Sequence, residues 1–258
     1  MSVKQLLDLG GRNAIVTGGS RGLGLQIAEA LGEMGARVAL TARKKDELDA
    51  AVAHLAKLGI EASAWVCDIG RREQLPGVFD QMLARLGRID ILVNNAGAVW
   101  GAPAEDHPLE AWDKLINLNL LGGFIMAQQA AKKSMIPAKW GRIIFVASVA
   151  GLTASDPAVV RTVSYNATKH AIVGMAKQLA AEWGEHGITV NAICPGFFPS
   201  KMTRATLDTT GELVRKVTPT GRLGGPEDLK GIAVLLASEA SRHITGQAIV
   251  VDGGAIVL

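Results

Sequence analysis

The sequence predicts an α/β protein, a doubly wound parallel sheet of seven strands flanked by helices. Three observations support this fold class. Short apolar runs alternate with helical patterns from end to end of the chain, as they do where strands are joined by helical crossovers. Hydrophobic residues make up 48% of the chain but aromatic residues only 4%, which suits aliphatic strands that are buried on both faces. No linker-like segment interrupts the alternation, so residues 1–258 are expected to form one domain.

The individual elements follow from periodicity and from turn residues. The predicted strands are the apolar segments at residues 13–17, 37–41, 62–66, 89–93, 142–147, 188–193 and 248–251. The predicted helices run from the first glycine-rich turn to about residue 34, then over 45–58, 71–86, 108–135, from 165 to about 185, and 226–238. Pro76 requires its helix to begin late or to bend, and Pro108 suits a first helical turn. Residues 197–225 show only weak periodicity.

Composition excludes several classes of function. The net charge is +3 and no run of Lys and Arg is long enough to make a nucleic-acid stripe. No apolar run reaches the length of a membrane span, and the N-terminus has no signal-peptide pattern. Cys67 and Cys194 each lie near the end of a strand-like run, which indicates buried thiols, and the five histidines lack ligand spacing. We therefore expect a soluble cytoplasmic protein that binds no metal, membrane or nucleic acid.

A glycine-rich turn follows the first strand. Gly18, Gly22 and Gly24 lie between that strand and the next helix, where free N–H groups and the helix dipole attract anions. Their spacing, Gly-x-x-x-Gly-x-Gly, differs from the general dinucleotide fingerprint. The roles of a tight turn, a close approach of a pyrophosphate and close helix packing still fit. The turn predicts a dinucleotide site.

The end of the second strand indicates which dinucleotide binds. No carboxylate precedes Asp46 there, whereas Arg43 follows the strand and Arg21 lies within the glycine turn. An acidic residue at this place would bind the ribose 2′-hydroxyl of NAD, and arginines accept the 2′-phosphate of NADP. The sequence thus favours NADP(H) over NAD(H). The structural alternative is that residues 43–45 are a solvated helix start.

Tyr165 is the only tyrosine in the chain, and Lys169 follows it at helical spacing. Residues i and i+4 share a helix face, and a nearby ammonium lowers the pKa of a phenol. A phenol of this kind can act as a general acid or base. The alternative is an ordinary helix start with a solvated lysine.

Seven segments in this order resemble the short-chain dehydrogenase/reductase family, in its compact single-domain branch with a Rossmann fold. The resemblance runs from about Leu9 to Gly254. Its carriers are Thr17–Gly24, Asn94–Gly97, Asn119, Ser148, Tyr165 with Lys169, Pro195–Gly196 and Val251–Gly254.

The resemblance implies an oxidoreductase with four catalytic residues. Tyr165 resembles the general acid/base and Ser148 the residue that holds the substrate oxygen. Lys169 resembles the lysine that binds the nicotinamide ribose and lowers the tyrosine pKa. Asn119 resembles the anchor of a water relay. The alternative is a regulatory protein that binds the cofactor without catalysis. Such a protein is expected to lack one or more of these four residues, but all four are present.

The resemblance also implies a cofactor-binding set. Asp68 and Ile69 correspond to an adenine-contacting pair, residues 95–97 to the adenosine side, and Pro195, Gly196 and Ser200 to the segment that fixes the carboxamide, where threonine is more usual than Ser200. The whole set is Gly18, Ser20, Arg21, Gly22, Leu23, Gly24, Arg43, Asp68, Ile69, Asn95, Ala96, Gly97, Tyr165, Lys169, Pro195, Gly196 and Ser200.

The substrate region departs from the common pattern, because the interval from Ser148 to Tyr165 is lengthened by a loop at residues 153–163. Residues 197–225 are expected to form a lid. The predicted substrate residues are Val99, Trp100, Ser148, Arg161, Phe197 and Phe198, and Lys201 and Arg204 are free to meet an acidic group. The apolar members favour a 3-oxoacyl-type ketone, as in 3-oxoacyl reductases. The alternative is a sugar acid, as in gluconate 5-dehydrogenase-like proteins.

The resemblance also implies a homotetramer, formed through the helices near 108–135 and 165–185.

Overall fold

Seven parallel strands form one sheet in the computed structural model, which describes residues 1–257. The strands are β1 (Asn13–Thr17), β2 (Arg37–Ala42), β3 (Ala62–Val66), β4 (Ile91–Asn94), β5 (Gly141–Val146), β6 (Ile188–Pro195) and β7 (Ala248–Val251). Their order in the sheet is β3-β2-β1-β4-β5-β6-β7. The order reverses between β1 and β4, so a crevice opens at the carboxyl ends of these two strands. The predicted fold class is confirmed.

Helices cover both faces of the sheet. They are α1 (Val3–Leu7), α2 (Gly22–Glu33), α3 (Lys45–Lys57), α4 (Leu75–Leu86), α5 (Leu109–Leu115), α6 (Gly122–Ala130), α7 (Ile136–Ala138), α8 (Val163–Trp183), α9 (Arg204–Val217) and α10 (Lys230–Ala237). One core cluster holds buried residues of α4, α6 and α8, and the other holds those of α2, α3 and α10. The sheet is therefore buried between two apolar layers, as its aliphatic strands require.

Several helices differ from their predicted bounds, among them α8, which begins at Val163 rather than at 165. A 3-10 turn at Arg72–Gln74 precedes α4, whose first turn contains Pro76, so this helix begins late rather than bending. Pro108 lies just before α5 as its N-cap residue. The predicted helix from residue 226 begins only at Lys230.

Helix α9 was missed by sequence reasoning, because residues 197–225 were expected to be irregular. It has 14 residues and buries only Gly211 and Val214. Threonines and a glycine lower its intrinsic helix propensity. Its few apolar residues keep to one face, but they stand among so many polar residues that the segment was not recognised as an amphipathic helix. The segment expected to form the lid therefore consists largely of a helix lying on the surface.

Both cysteines are free and buried, as predicted. Among residues 1–257 no helix combines the length and apolarity needed to cross a bilayer.

Candidate active site

The glycine-rich turn between β1 and α2 depends on the absence of side chains. Gly18 has a φ of +65°, and a Cβ there would lie 2.9 Å from the Asn95 amide nitrogen. A Cβ on Gly24 would lie 2.4 Å from the Gly18 carbonyl oxygen. Gly22, with a φ of +55°, has no atom within 4 Å of its would-be Cβ. Two glycines thus permit close packing, and the third leaves open space beside the turn.

The N-terminus of α2 is suited to an anion. Its N-cap residue, Arg21, makes no capping hydrogen bond with its side chain, and the first turn contains no acidic residue. Its first N–H groups are therefore free to bind a phosphate. Together with the open space at Gly22, this arrangement fits the pyrophosphate of a dinucleotide. Leu23 is half-buried and packs against the core beneath this helix.

Thr17 and Asn95 fasten the turn to the end of β4. The buried Thr17 hydroxyl accepts hydrogen bonds from the backbone N–H groups of Asn95 and Ala96, both at 3.0 Å. The Asn95 side chain donates to the carbonyl oxygens of Thr17 (2.9 Å) and Gly18 (3.1 Å). Asn95 therefore shapes the glycine turn with its side chain, a role that the sequence comparison with the family had not specified.

The predicted cations differ in their surroundings. The Arg21 guanidinium forms an ion pair with Glu47, with Nη1 at 2.6 Å from Oε1. Arg43 is exposed and has no ion pair or side-chain hydrogen bond among the described residues. Glu47 lies in the first turn of α3, one residue beyond the stretch that sequence reasoning searched for acids. Of the two arginines predicted to bind a 2′-phosphate, only Arg43 is therefore without an acidic partner among the described residues.

Asp68 and Ile69 follow β3. The Asp68 carboxylate accepts a hydrogen bond from the Gly70 N–H at 3.0 Å. The Ile69 side chain is only 4% exposed and belongs to the core, where a Cβ on Gly122 would lie 2.4 Å from it. Ile69 can thus reach a nucleotide only through its backbone.

Tyr165 lies in the first turn of α8, half-buried at the carboxyl edge of the sheet. Burial raises the pKa of its phenol, and a hydrogen bond with the Ser148 side chain partly offsets that rise. The net shift of the phenol pKa is upward, because desolvation of the phenolate outweighs the hydrogen bond with Ser148. The lowering of the phenol pKa by Lys169 stays a prediction. The phenol is therefore protonated at neutral pH.

Lys169 shares the helix face of Tyr165 as predicted, with Nζ 5.5 Å from the centre of the phenol ring. The side chain is 5% exposed, and Nζ donates to the Val146 carbonyl oxygen at 2.7 Å. Burial lowers the pKa of Lys169 to about 8. The ammonium is thus held at the end of β5, inside the site.

Ser148 follows β5 and caps a short 3-10 turn, accepting a hydrogen bond from the Ala150 N–H at 3.2 Å. This turn packs against α8 so closely that a Cβ on Gly151 would lie 2.6 Å from the Lys169 carbonyl oxygen. The buried thiol of Cys194 lies beside Ser148 and Lys169, and burial raises the pKa of this thiol. Cys194 thus belongs to the site as a neutral neighbour, although the sequence indicated only a core position.

Asn119 occupies a π-helical stretch, Ile116–Leu121, between α5 and α6. Its side chain accepts a hydrogen bond from the Ala98 N–H at 2.9 Å and donates to the Ala98 carbonyl oxygen at 3.0 Å. It also donates to the Thr168 hydroxyl at 3.1 Å, and Thr168 donates to the Tyr165 carbonyl oxygen at 2.9 Å. Thr168, which sequence reasoning missed, therefore joins Asn119 to the start of α8. The role of Asn119 in a water relay stays a prediction.

The segment after β6 is held by two contacts. A Cβ on Gly196 would lie 2.7 Å from the Asp252 side chain, so the turn after β7 packs directly on this backbone. The Ser200 hydroxyl lies 3.0 Å from the Thr203 hydroxyl, which donates to the Phe198 carbonyl oxygen at 2.6 Å. Thr203, also missed, supplies a threonine hydroxyl three residues beyond the position where the family more often has one.

Comparison with known proteins agrees with this geometry. The profile of a family described as enoyl-(acyl carrier protein) reductase matches residues 18–255. The gluconate 5-dehydrogenase of Gluconobacter oxydans (strain 621H) is 37% identical to the chain, with 100% of this chain and 99% of that protein covered. The chain belongs to the short-chain dehydrogenase/reductase family. It is thus an oxidoreductase that acts on alcohols or ketones with NAD(P).

Two further relatives show the range of substrates in this family. The 3-oxoacyl-[acyl-carrier-protein] reductase of Aquifex aeolicus (strain VF5) is 33% identical, with 96% of this chain and 98% of that protein covered. The crystal structure of a gluconate 5-dehydrogenase from Burkholderia cenocepacia J2315 in complex with NADP and tartrate has a TM-score of 0.93 and 35% identity, with both chains fully covered.

The lengthened loop of this family member is organised by Asn166. The Asn166 side chain accepts a hydrogen bond from the Thr162 hydroxyl at 2.8 Å and donates to the Ser155 hydroxyl at 3.2 Å. The Arg161 carbonyl oxygen accepts from the Ala102 N–H at 2.9 Å, which ties the loop to the segment after β4. Asn166, the residue after Tyr165, therefore anchors this loop.

A cavity of about 610 Å³ lies between this loop and residues 102–105. Its lining includes Arg161 and His170 but neither Ser148 nor Tyr165. The cavity therefore does not extend to Ser148 or Tyr165. Arg161, a predicted substrate residue, forms part of the cavity wall instead.

The other predicted substrate residues divide into two groups. Val99 and Trp100 are exposed, at 36% and 40%, and Phe197 is half-buried. Phe198 is only 4% exposed and packs in the core, where its ring would meet a Cβ on Gly224 at 2.4 Å. The prediction that Phe198 lines the substrate pocket is therefore wrong. An apolar residue after a Pro-Gly turn gave no sign of which way its ring would point.

Proposed function

We propose that the chain is an NADP(H)-dependent oxidoreductase that interconverts a ketone and a secondary alcohol, with Tyr165 as its general acid/base. The observation that carries the proposal is the meeting of Tyr165, Ser148 and Lys169 at the carboxyl edge of the sheet. This group lies at the same edge as the anion-binding turn of β1 and α2. The proposed catalytic set is Asn119, Ser148, Tyr165 and Lys169.

The electrostatics of the site suit ketone reduction at neutral pH. A bound nicotinamide supplies the hydride. The raised pKa of Tyr165 keeps its proton available for the carbonyl oxygen. The Ser148 hydroxyl is placed to donate to the same oxygen as negative charge develops there. Alcohol oxidation needs the phenolate of Tyr165 instead, so the rate of oxidation should increase relative to the rate of reduction as the pH rises.

Proton return to Tyr165 is assigned to Lys169. With a pKa of about 8, Lys169 is largely protonated near neutral pH and loses its proton within a range in which enzymes work. Its hydrogen bond to the Val146 carbonyl oxygen fixes Nζ beside the phenol. Asn119 belongs to the catalytic set through the water relay that the family resemblance implies, and its bond to Thr168 also positions the start of α8.

NADP(H) is favoured because Arg43 is exposed just past the end of β2 and has no ion pair with any residue of 1–257. A guanidinium there is suited to a 2′-phosphate, and no acidic residue precedes Asp46 at the strand end. The Burkholderia relative with bound NADP supports the same choice. The remaining proposed contacts are those of the glycine turn, of Asp68, of residues 95–97 and of the Pro195–Ser200 segment.

For the substrate, we propose a sugar acid in preference to the 3-oxoacyl ketone that the apolar residues favoured. Burial of Phe198 makes the expected pocket less apolar. Lys201 and Arg204 form no ion pair within residues 1–257, so their charges are available to a carboxylate. The 37% identical gluconate 5-dehydrogenase and the relative with bound tartrate support this class. The 3-oxoacyl ketone stays the second candidate because Val99 and Trp100 are exposed beside Ala98.

A homotetramer is part of the proposal. The exposed Leu109 of α5 and Val163 of α8, at 76% and 40%, lie on the two helices assigned to subunit contacts. Their burial in an assembly would remove apolar surface from water. Light scattering of the purified chain tests the mass directly.

A substrate panel tests the function. Gluconate, a 5-keto sugar acid and a 3-oxoacyl thioester are each assayed with NADPH or NADP⁺, and with NADH or NAD⁺, by absorbance of the reduced nicotinamide. We expect turnover of the sugar-acid pair with the phosphorylated cofactor. Exclusive turnover of the thioester would reverse the substrate assignment, and turnover with NADH far above NADPH would overturn the cofactor assignment.

A further inference from the structure

Glu47 holds an unusual position for an acidic residue. Its carboxylate lies 2.6 Å from Nη1 of Arg21 and 3.5 Å from Nζ of Lys44. It also accepts a hydrogen bond from the Ser20 hydroxyl at 3.4 Å. Ser20 and Arg21 come from the turn after β1, and Lys44 comes from the segment after β2. One carboxylate thus gathers donors from the ends of two adjacent strands.

These donors are the types that bind phosphate. A guanidinium, an ammonium and a hydroxyl together form charge-assisted hydrogen bonds to phosphate oxygens. An ionised carboxylate only accepts hydrogen bonds, so Glu47 uses the same donors that a 2′-phosphate would use.

Favourable interaction with the dipole of α3 does not account for this orientation. Asp46 also lies in the first turn of α3 and can interact with the helix dipole equally well. Yet Asp46 is exposed and makes no side-chain hydrogen bond or ion pair with any described residue. The direction of the Glu47 side chain is therefore set by Ser20, Arg21 and Lys44, and Asp46 is a matched control of the same charge.

We infer that Glu47 is a specificity-determining residue that competes with the 2′-phosphate of NADP(H) for Ser20 and Arg21. The inference rests on the proposed NADP(H) function. Glu47 and Arg21 are 23% and 46% exposed, and an exposed ion pair of this kind is weak enough to open when a ligand binds. The displaced carboxylate then remains beside the incoming phosphate and repels it. NAD(H) carries a hydroxyl at the 2′ position and meets no such repulsion. Glu47 therefore reduces the affinity for NADP(H) relative to the affinity for NAD(H).

The test is Glu47→Gln, which keeps the shape of the side chain and removes its charge. Dissociation constants for NADPH and NADH are measured without substrate, by titrating the nicotinamide fluorescence at fixed ionic strength. We expect NADPH to bind about three- to tenfold more tightly than to the wild type, and NADH to change less than about twofold. The gain for NADPH should shrink as salt is added, because ions screen exposed charges.

Two control variants separate a specific effect from a general one. Asp46→Asn removes an equal charge one residue away and should leave the preference nearly unchanged. In an Arg21→Ala background, Glu47→Gln should gain less NADPH affinity than in the wild-type background, because the part of the gain that comes from competition for the guanidinium is lost.

Several outcomes would contradict the inference. Unchanged NADPH binding by Glu47→Gln would show that the carboxylate does not compete. Weaker NADPH binding would show instead that Glu47 orients Arg21 for the phosphate. An equal gain of NADPH affinity in Asp46→Asn would show that the change in net charge, rather than the position of Glu47, causes the tighter binding. If the wild type bound neither nucleotide, the proposed function itself would fail, and this inference would fail with it.

Discussion

Lys169 makes the stability of this protein depend on pH in a way that its structure predicts. The side chain is 5% exposed, and burial lowers its pKa from 10.5 to about 8. Below pH 8 the folded protein must hold a buried ammonium, which is unfavourable relative to the unfolded chain. This cost is present at low pH and is relieved as the pH rises from about 8 towards 10.5, so folding gains stability over that window.

The magnitude follows from the two pKa values. The full difference corresponds to about 3 kcal/mol. Between about pH 7 and about pH 9.5, the contribution of Lys169 to the free energy of unfolding should rise by about 2 kcal/mol. Lys169→Met keeps a long apolar stem but cannot titrate, so the difference between wild type and variant isolates this contribution.

Urea denaturation of both proteins at the two pH values is the measurement. The unfolding free energy of the wild type, relative to that of Lys169→Met, should be about 2 kcal/mol more favourable at the higher pH. A difference that stays constant within about 0.5 kcal/mol would refute the reasoning, because Lys169 would then titrate as an ordinary exposed lysine.

Two other variants test the cofactor turn and the substrate loop. Gly24→Ala places a Cβ 2.4 Å from a backbone oxygen, so NADPH affinity should fall at least about tenfold and stability by about 1–3 kcal/mol. The control Gly77→Ala, at a helical position with no atom within 4 Å, should stabilise α4 slightly, by about 0.5–1 kcal/mol, and equal losses in both would contradict the packing argument. Asn166→Ala removes the hydrogen bonds to Thr162 and Ser155, so steady-state kinetics should show KM for the substrate raised several-fold with kcat nearly unchanged. A loss confined to kcat would mean that Asn166 serves the chemistry rather than the loop.

The sheet could be predicted from the sequence almost residue by residue. Strands β1, β3 and β7 have their predicted bounds, because continuous apolar runs bounded by turns leave few alternatives. Helix α9 was missed although its apolar residues keep to one face, because they are few and its threonines and glycine favour irregular structure. Local pattern thus identified the strands and the helices of the core, and missed the short α1 and the exposed α9.

The candidate site shows a similar division. The glycine turn and the pairing of Tyr165 with Lys169 followed from spacing along one element, and the structure brings them to one edge of the sheet. The contacts of Glu47 and the inward turn of Phe198 arise between elements that are distant in sequence or depend on backbone direction. The burial that raises the Tyr165 pKa could likewise not be predicted, because the sequence reveals the neighbouring lysine but not how deeply the phenol lies.

The most direct test of the account is the activity of Tyr165→Phe. The variant removes the only phenolic hydroxyl of the chain and keeps the ring. Initial rates of nicotinamide oxidation with NADPH and a keto substrate should fall about 10²- to 10⁴-fold, while the dissociation constant for NADPH, measured by fluorescence on the same preparation, should change little. Full turnover by Tyr165→Phe would contradict the assignment of Tyr165 as the general acid/base.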